Sequence, residues 1–379
     1  MRSTMAPAVR PWSRAFKGRL EEHVLDSAAL RDNPLGDPAE RPIWVYLPPA
    51  YDAERDRRFA TIYLIQGMTG QLDMWANRSA FRANVPEAID ALFAGESGEA
   101  PAPAIVVFVD CWTSVGGSQF LDSPGTGRYH TYLCDEVVGS VDVHYRTLAS
   151  REHRGIAGKS SGGYGAMITP MLRPDLFGGL ATHAGDAMFE TCYLPEFAEC
   201  ARALRDRYGG SFERFWADFR SRPPMSRAED GALVNEWAMA ACYSTDPDGT
   251  VRLPFDPVTA ELVPAVWERW LRWDPVRMAR TPEGRAAVRS LRAIWIDAGT
   301  RDEYFLDLGA EAFRRECLAA GARETGGARG GGSMVGADAG GATAGAGPEL
   351  YFELFDAKHG GIEYRYPLAI AWLADRLAG

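Results

Sequence analysis

The run Ile105-Val106-Val107-Phe108-Val109 places five apolar side chains in a row, and in an extended strand successive side chains point to opposite faces. Such a strand has no side to turn to water, so it belongs in a sheet covered by helices on both faces. Further apolar runs recur at 43–47, 60–65, 154–157, 180–183, 293–297 and 350–355, separated by helix-length segments. That alternation implies an α/β layered fold with a mostly parallel central sheet flanked by helices. A chain of 379 residues is long enough for one large domain in which roughly three quarters of the unfolded surface is buried.

Residues 1–40 are polar and proline-punctuated and read as a lead-in segment with one strand around 18–24, after which a single domain is expected over 41–379. Two stretches interrupt the strand–helix alternation. Residues 186–290 carry helical periodicity and many aromatics, among them Phe212, Phe215, Trp216, Phe219, Trp237, Trp267, Trp270 and Trp273, without a buried strand; a helical cap insertion is expected there. Residues 321–348 hold 11 glycines and 7 alanines in 28 positions, too little side-chain volume to offset the entropy of ordering, so a flexible surface loop is expected.

The balance of 41 basic and 51 acidic residues, net charge -10, repels phosphate backbones and anionic lipid, which argues against nucleic acid and membrane as partners. Six cysteines without a C-x-x-C pair suggest buried free thiols rather than a zinc site or a disulfide framework. Residues 1–20 lack the apolar run of a signal peptide, and nothing approaches the ~20 apolar residues that span a bilayer, so a cytoplasmic location is expected.

The sharpest local signal is Gly158-Lys159-Ser160-Ser161-Gly162-Gly163, directly after the strand candidate 154–157 and before a helix-like run to Leu172. A G-x-S-x-G elbow needs small residues around the nucleophile, because the chain turns sharply from strand to helix and larger side chains would collide. The turn lifts the Ser160 hydroxyl above the sheet and aims the Ser161 backbone N–H where an oxyanion would form. Taken alone the pentapeptide is a weak signal, since glycine-rich turns recur by chance. A phosphate-binding loop is a poor alternative, because its first glycine would fall on His153.

A serine nucleophile needs a base, and chain order selects among His23, His130, His144, His153, His183 and His359. In the α/β-hydrolase arrangement the histidine follows the last strand, and His359 alone does so, in Lys358-His359-Gly360-Gly361 ahead of a closing helix over 367–377. The acid should follow the penultimate strand. Asp302 is the first choice and Glu303 the nearest competitor, while Asp297 reads as a strand-end hydrogen-bonding group. The second oxyanion amide should come from the turn after strand 60–65, where Gln66-Gly67-Met68 points to the Met68 N–H. Gln66, Gly67, Trp112, Arg128, His183 and Glu303 are candidate pocket residues, although His183 reads equally well as a packed core histidine.

With these pieces in order, the chain resembles the family described as "Putative esterase", the α/β-hydrolase group that includes esterase D, enterochelin esterases and mycolyltransferases. The resemblance is carried by Val45-Tyr46-Leu47-Pro48-Pro49, Tyr63-Leu64-Ile65-Gln66-Gly67, Gly117-Ser118-Gln119-Phe120, Gly127-Arg128-Tyr129, the 158–166 elbow, Gly299-Thr300-Arg301-Asp302-Glu303 and His359-Gly360-Gly361. It implies an α/β-hydrolase fold and a serine hydrolase or acyltransferase acting on a small-molecule ester, with no metal or organic cofactor. By motif position it puts the nucleophile on Ser160, the acid on Asp302, the base on His359 and the oxyanion amides on Met68 and Ser161. Gln66 and Ser161 depart from the residues commoner in the family at those places, which bears on the pocket wall and on substrate choice. Hydrolysis is the expected reaction; acyl transfer by the same triad and a non-catalytic binding protein on the same fold are the alternatives. Homo-oligomerisation is left open.

Overall fold

A computed structural model describes residues 2–3, 14–96, 98–326 and 347–379. Its largest sheet contains β1 (Arg19–Asp26), β2 (Glu40–Leu47), β3 (Ala60–Ile65), β4 (Ala104–Val109), β5 (Arg154–Lys159), β6 (Gly179–His183), β7 (Ala293–Gly299), β8 (Arg323–Gly326) and β9 (Glu349–Phe355). The spatial order is β1-β2-β4-β3-β5-β6-β7-β9-β8, with Arg2–Ser3 pairing antiparallel outside β1. β2 is antiparallel to both of its neighbours, and every pairing from β4 to β8 is parallel. This is the expected mostly parallel α/β sheet of an α/β-hydrolase.

The unalternating strands are explained by two cores, one on each face. Val45, Tyr63, Ile65, Ile105 and Val107 point into one, while Trp44, Tyr46, Ile62, Leu64, Val106 and Phe108 point into the other. All six residues of β4 are buried, and full burial of each large apolar side chain is worth about 1.5–3 kcal/mol. On the second face α1 (Val85–Phe93) and the closing helix α11 (Arg365–Leu377) cover the sheet. There Phe108 meets Trp44 and Trp75 edge-on, at centroid distances of 6.2 and 5.6 Å. Phe108→Ala is expected to cost about 3–5 kcal/mol, read as a lowered urea midpoint, because no neighbour can collapse into the space between two tryptophans.

On the first face lies α2 (Ser161–Leu172), directly after β5. Between β6 and β7 the chain forms α3 (Phe189–Cys192), α4 (Leu194–Tyr208), α5 (Phe212–Ser221), α6 (Asp230–Tyr243), α7 (Pro264–Leu271), α8 (Pro275–Arg280) and α9 (Pro282–Arg289). Their aromatics pack on one another: Phe197 stacks on Phe255 at 4.7 Å and meets Trp267 and Trp270 edge-on. α10 (Leu306–Ala319) returns the chain from β7 to the sheet edge.

Two segments differ from the sequence reading. The strand expected around 18–24 forms as β1, but it is part of the sheet and not of a lead-in: it pairs along its whole length with β2 and buries Leu25, so order begins ahead of residue 41. The segment expected as a loop over 321–348 starts with β8, because the outer edge of β9 offers unpaired N–H and C=O groups to Arg323–Gly326. The remainder of that segment, 327–346, lies outside the described residues. All six cysteines are free and buried. Among the described residues no helix is long and apolar enough to cross a membrane.

Candidate active site

β5 ends at Lys159 and α2 begins at Ser161, which leaves Ser160 alone in the turn with φ 58° and ψ −130°. A non-glycine residue held there stores about 1–3 kcal/mol of strain and persists only where its surroundings enforce it. The Ser160 N–H donates to the carbonyls of His183 (3.0 Å) and Ala184 (3.1 Å), and its own carbonyl accepts from the Tyr164 N–H (2.8 Å). Space demands the flanking glycines: a Cβ on Gly158 would lie 2.2 Å from the Gly162 carbonyl oxygen, and one on Gly162 would lie 2.5 Å from that of Ile65.

The turn after β3 comes up against this elbow. A Cβ on Gly67 would sit 3.0 Å from the Lys159 carbonyl oxygen and 3.3 Å from Ser160 Cβ. Met68 follows, half-buried, with its Cε over Gly116. Buried Gln66 fixes the turn from below: with its amide oriented to satisfy both ends, it donates to the Val109 carbonyl and accepts from the N–H groups of Cys111 (2.7 Å) and Trp112 (3.1 Å). Gln66, Gly67, Trp112, Gln119 and Ser161 line one narrow crevice beside the elbow.

His359 follows β9, and its Nδ1 lies 2.8 Å from Asp302 Oδ2. Asp302, in the turn after β7, also accepts from the Tyr304 N–H at 2.9 Å, so its carboxylate is held from two sides. Glu303, one residue on, accepts instead from the His359 backbone N–H at 2.9 Å, a bond that keeps its carboxyl below the ordinary glutamate range. Tyr304 packs edge-on against the imidazole at 5.0 Å. The histidine loop is tied to the elbow by Lys159 Nζ, 3.0 Å from Glu363 Oε1. Among the described residues Ser160 Oγ makes no hydrogen bond to the imidazole; such bonds often tighten only when substrate is bound.

A second buried carboxylate sits against the elbow. Asp186 Oδ2 accepts from Ser161 Oγ (3.0 Å), Tyr193 Oη (2.9 Å) and Gln119 Nε2 (3.3 Å). Burial pushes its pKa up, opposed by these donors and by the positive charge His359 can carry. The sequence reading missed Asp186. Its one signal was an acid three residues past a strand end at the carboxyl edge of a parallel sheet, where such folds bind ligands.

Two pocket candidates are placed elsewhere. His183 is fully buried, with Nδ1 2.7 Å from Asp297 Oδ1 and its ring against Tyr366, so it is packed beneath α11 rather than open to a pocket. Asp297 also accepts from Trp295 Nε1 (2.7 Å) and Arg365 Nε (2.8 Å). Burial alone would raise the Asp297 pKa, but His183, Arg365 and Trp295 outweigh it and hold the carboxyl below its ordinary value. Arg128 is exposed on a short hairpin, Gly127–Arg128 against Asp122–Ser123, and does not line the crevice beside Ser160.

The family model described as "Putative esterase" matches residues 38–324. A ferulic acid esterase superposes with a TM-score of 0.55 at 18% identity, over 96% of this chain and 100% of that one. An S-formylglutathione hydrolase from Agrobacterium tumefaciens gives 0.51 at 15% identity, over 97% and 98% of the two chains. A ferulic acid esterase from Anaeromyces mucronatus gives 0.51 at 14%, over 97% and 95%. At these identities the likeness establishes the fold, and the family match carries the assignment: the chain belongs to the "Putative esterase" family of α/β-hydrolase enzymes.

Proposed function

We propose that the chain is a serine esterase that hydrolyses a carboxylic ester through Ser160, His359 and Asp302. The observation that carries this reading is the 2.8 Å contact between His359 Nδ1 and Asp302 Oδ2, on a loop joined to the Ser160 elbow by Lys159 and Glu363. A carboxylate on Nδ1 keeps the proton there and leaves Nε2 as the ring's base. His359 Nε2 takes the Ser160 proton as Oγ bonds to the ester carbonyl carbon. The oxyanion lies between the Met68 and Ser161 N–H groups. As the tetrahedral intermediate collapses, the ester C–O bond breaks and the imidazolium returns its proton to the departing alcohol. Water, deprotonated by the same nitrogen, then attacks the acyl-enzyme and releases the acid and Ser160.

The acyl-enzyme is tested by partition. With an added alcohol, the phenyl and p-nitrophenyl esters of one acid should give the same ratio of new ester to free acid, because both pass through one intermediate. A ratio that changes with the leaving group would remove the covalent step, and exclusive hydrolysis at high alcohol concentration would remove acyl transfer as the natural reaction.

The oxyanion turn has its own test. Gly67→Ala puts a methyl 3.0 Å from the Lys159 carbonyl oxygen and 3.3 Å from Ser160 Cβ, so the turn that carries the Met68 amide has to give by a few tenths of an ångström relative to the elbow. A displacement of this size is expected to lower kcat/KM by about tenfold, less than the roughly 10²-fold of a full 1 Å misplacement, while the thermal midpoint changes little, since Gly67 is partly exposed. An unchanged kcat/KM would take the Met68 N–H out of the mechanism.

A further inference from the structure

Twelve large apolar side chains are exposed among the described residues, and five of them, Phe81, Tyr304, Phe305, Leu308 and Tyr364, stand on segments that meet at the His359 loop. Tyr304, Phe305 and Leu308 follow Asp302 closely, at 44, 49 and 46% exposed, and the Tyr304 ring packs edge-on against the imidazole. Tyr364 lies shortly after His359, and Phe81 precedes Arg82, whose Nη1 donates to the Gly361 carbonyl at 3.3 Å. Exposed apolar side chains gathered in one place mark a binding surface, whereas single ones scattered over a protein need no explanation. Tyr304 is open to solvent and touches the base itself, so the surface it begins adjoins the reacting groups.

The segment after Asp302 is held in place. The Tyr304 N–H donates to Asp302 Oδ1 (2.9 Å), the Phe305 N–H to the Asp302 carbonyl (3.2 Å) and the Leu308 N–H to the Phe305 carbonyl (3.1 Å). Phe305 sits at φ 58° and ψ 30°, a left-handed conformation that glycine or asparagine adopts far more readily than a bulky aromatic. Its ring is half in water and its backbone is strained, so neither burial nor the turn accounts for a phenylalanine there; strain of this kind gathers at ligand sites. The chemistry says which part of an ester comes here. The imidazolium returns its proton to the departing alcohol, so the alcohol oxygen lies beside His359 Nε2, and the group it carries extends on the imidazole side, where Tyr304 begins the patch.

We infer that Tyr304, Phe305 and Leu308 form the binding surface for an apolar alcohol portion of the ester, so that esters of alkyl alcohols are preferred over those of methanol or of alcohols ending in a second hydroxyl. This rests on the serine-esterase reading and narrows it to a substrate class. Full burial of a methylene favours binding by a factor of about four, and burial against side chains that stay half-exposed by about two. Phe305→Asn suits the left-handed backbone and Leu308→Gln keeps a good helix former in α10, so each removes apolar surface without giving the chain a reason to unfold.

The test uses the methyl, butyl, hexyl and 5-hydroxypentyl esters of acetic acid, below and above the solubility of the hexyl ester, with fluorophosphonate labelling of Ser160 run on the same samples. All four esters give one acyl-enzyme, so differences in kcat/KM belong to the alcohol. For the wild type, kcat/KM is expected to rise about thirtyfold from methyl to hexyl, with butyl between them and 5-hydroxypentyl, which matches hexyl in length, well below hexyl. In Phe305→Asn and in Leu308→Gln the hexyl-to-methyl ratio should fall at least about threefold. A labelled wild-type enzyme with a ratio near one, or a ratio unchanged in both variants, overturns the inference and leaves the esterase reading intact. So does a rate that rises only once the hexyl ester exceeds its solubility, which would assign the patch to a lipid surface. Should the variants fail to fold, the ranking of the four esters by the wild type decides alone. A folded wild type that neither labels nor turns over any ester overturns the esterase reading and this inference with it.

Discussion

Ser160→Ala is expected to lower kcat for a short p-nitrophenyl ester by at least about 10⁴-fold while leaving the fold intact. The magnitude follows from what is lost: without Oγ there is no acyl-enzyme, and only the oxyanion amides and substrate binding remain to help water attack directly. The fold should survive because Ser160 is held by its backbone. Its N–H and carbonyl make the contacts to His183, Ala184 and Tyr164, and alanine keeps all of them. The strain at φ 58° is also retained, since alanine is no freer than serine there. Rates and circular dichroism measured on the same preparation check both halves of this expectation. Single replacements of Ser160 and His359 and the triple replacement should lose similar amounts of rate, because the three side chains act as one unit.

Asp302→Asn is expected to cost about 10⁴-fold in kcat with little change in KM. Asp302 Oδ2 accepts the Nδ1 proton of His359 and Oδ1 accepts from the Tyr304 N–H. Asparagine can meet only one of these with its single oxygen. If the oxygen stays with Tyr304, the NH₂ group faces Nδ1 and forces the ring proton onto Nε2, the nitrogen that should accept from Ser160. Glu303→Gln makes the control, because its carboxylate meets the His359 backbone N–H, not the ring, and a glutamine oxygen can do the same. A loss in Glu303→Gln as large as in Asp302→Asn would assign the acid wrongly.

The parallel sheet was legible because its central strands are buried on both sides, so that apolar residues dominate them and polar ones such as Thr61, Arg154, Thr182, His183 and Asp297 are few. The edges were less so. β8 is polar and pairs on one side only, so nothing in Arg323–Gly326 marks it apart from the glycine-rich stretch it opens. α11 begins at Arg365, ahead of the proline that suggested a start at 367, because proline is tolerated anywhere in a first helical turn. At the candidate site, Ser160 and His359 were proposed from local chemistry and chain order. Choosing between neighbours such as Asp302 and Glu303 depends on which way one turn points each carboxylate. Asp186 had only its place past the end of β6 to mark it, since its three donors lie on separate segments that meet only in the folded chain.

The central claim is that Ser160 is a nucleophile activated by His359, and covalent labelling tests it most directly. Wild-type protein treated with a fluorophosphonate and digested should carry one adduct, on the peptide containing Ser160, and His359→Ala should suppress it without unfolding the protein. Folded wild-type protein that hydrolyses esters but carries its adduct on another residue, or labels equally fast without the imidazole, would contradict the account.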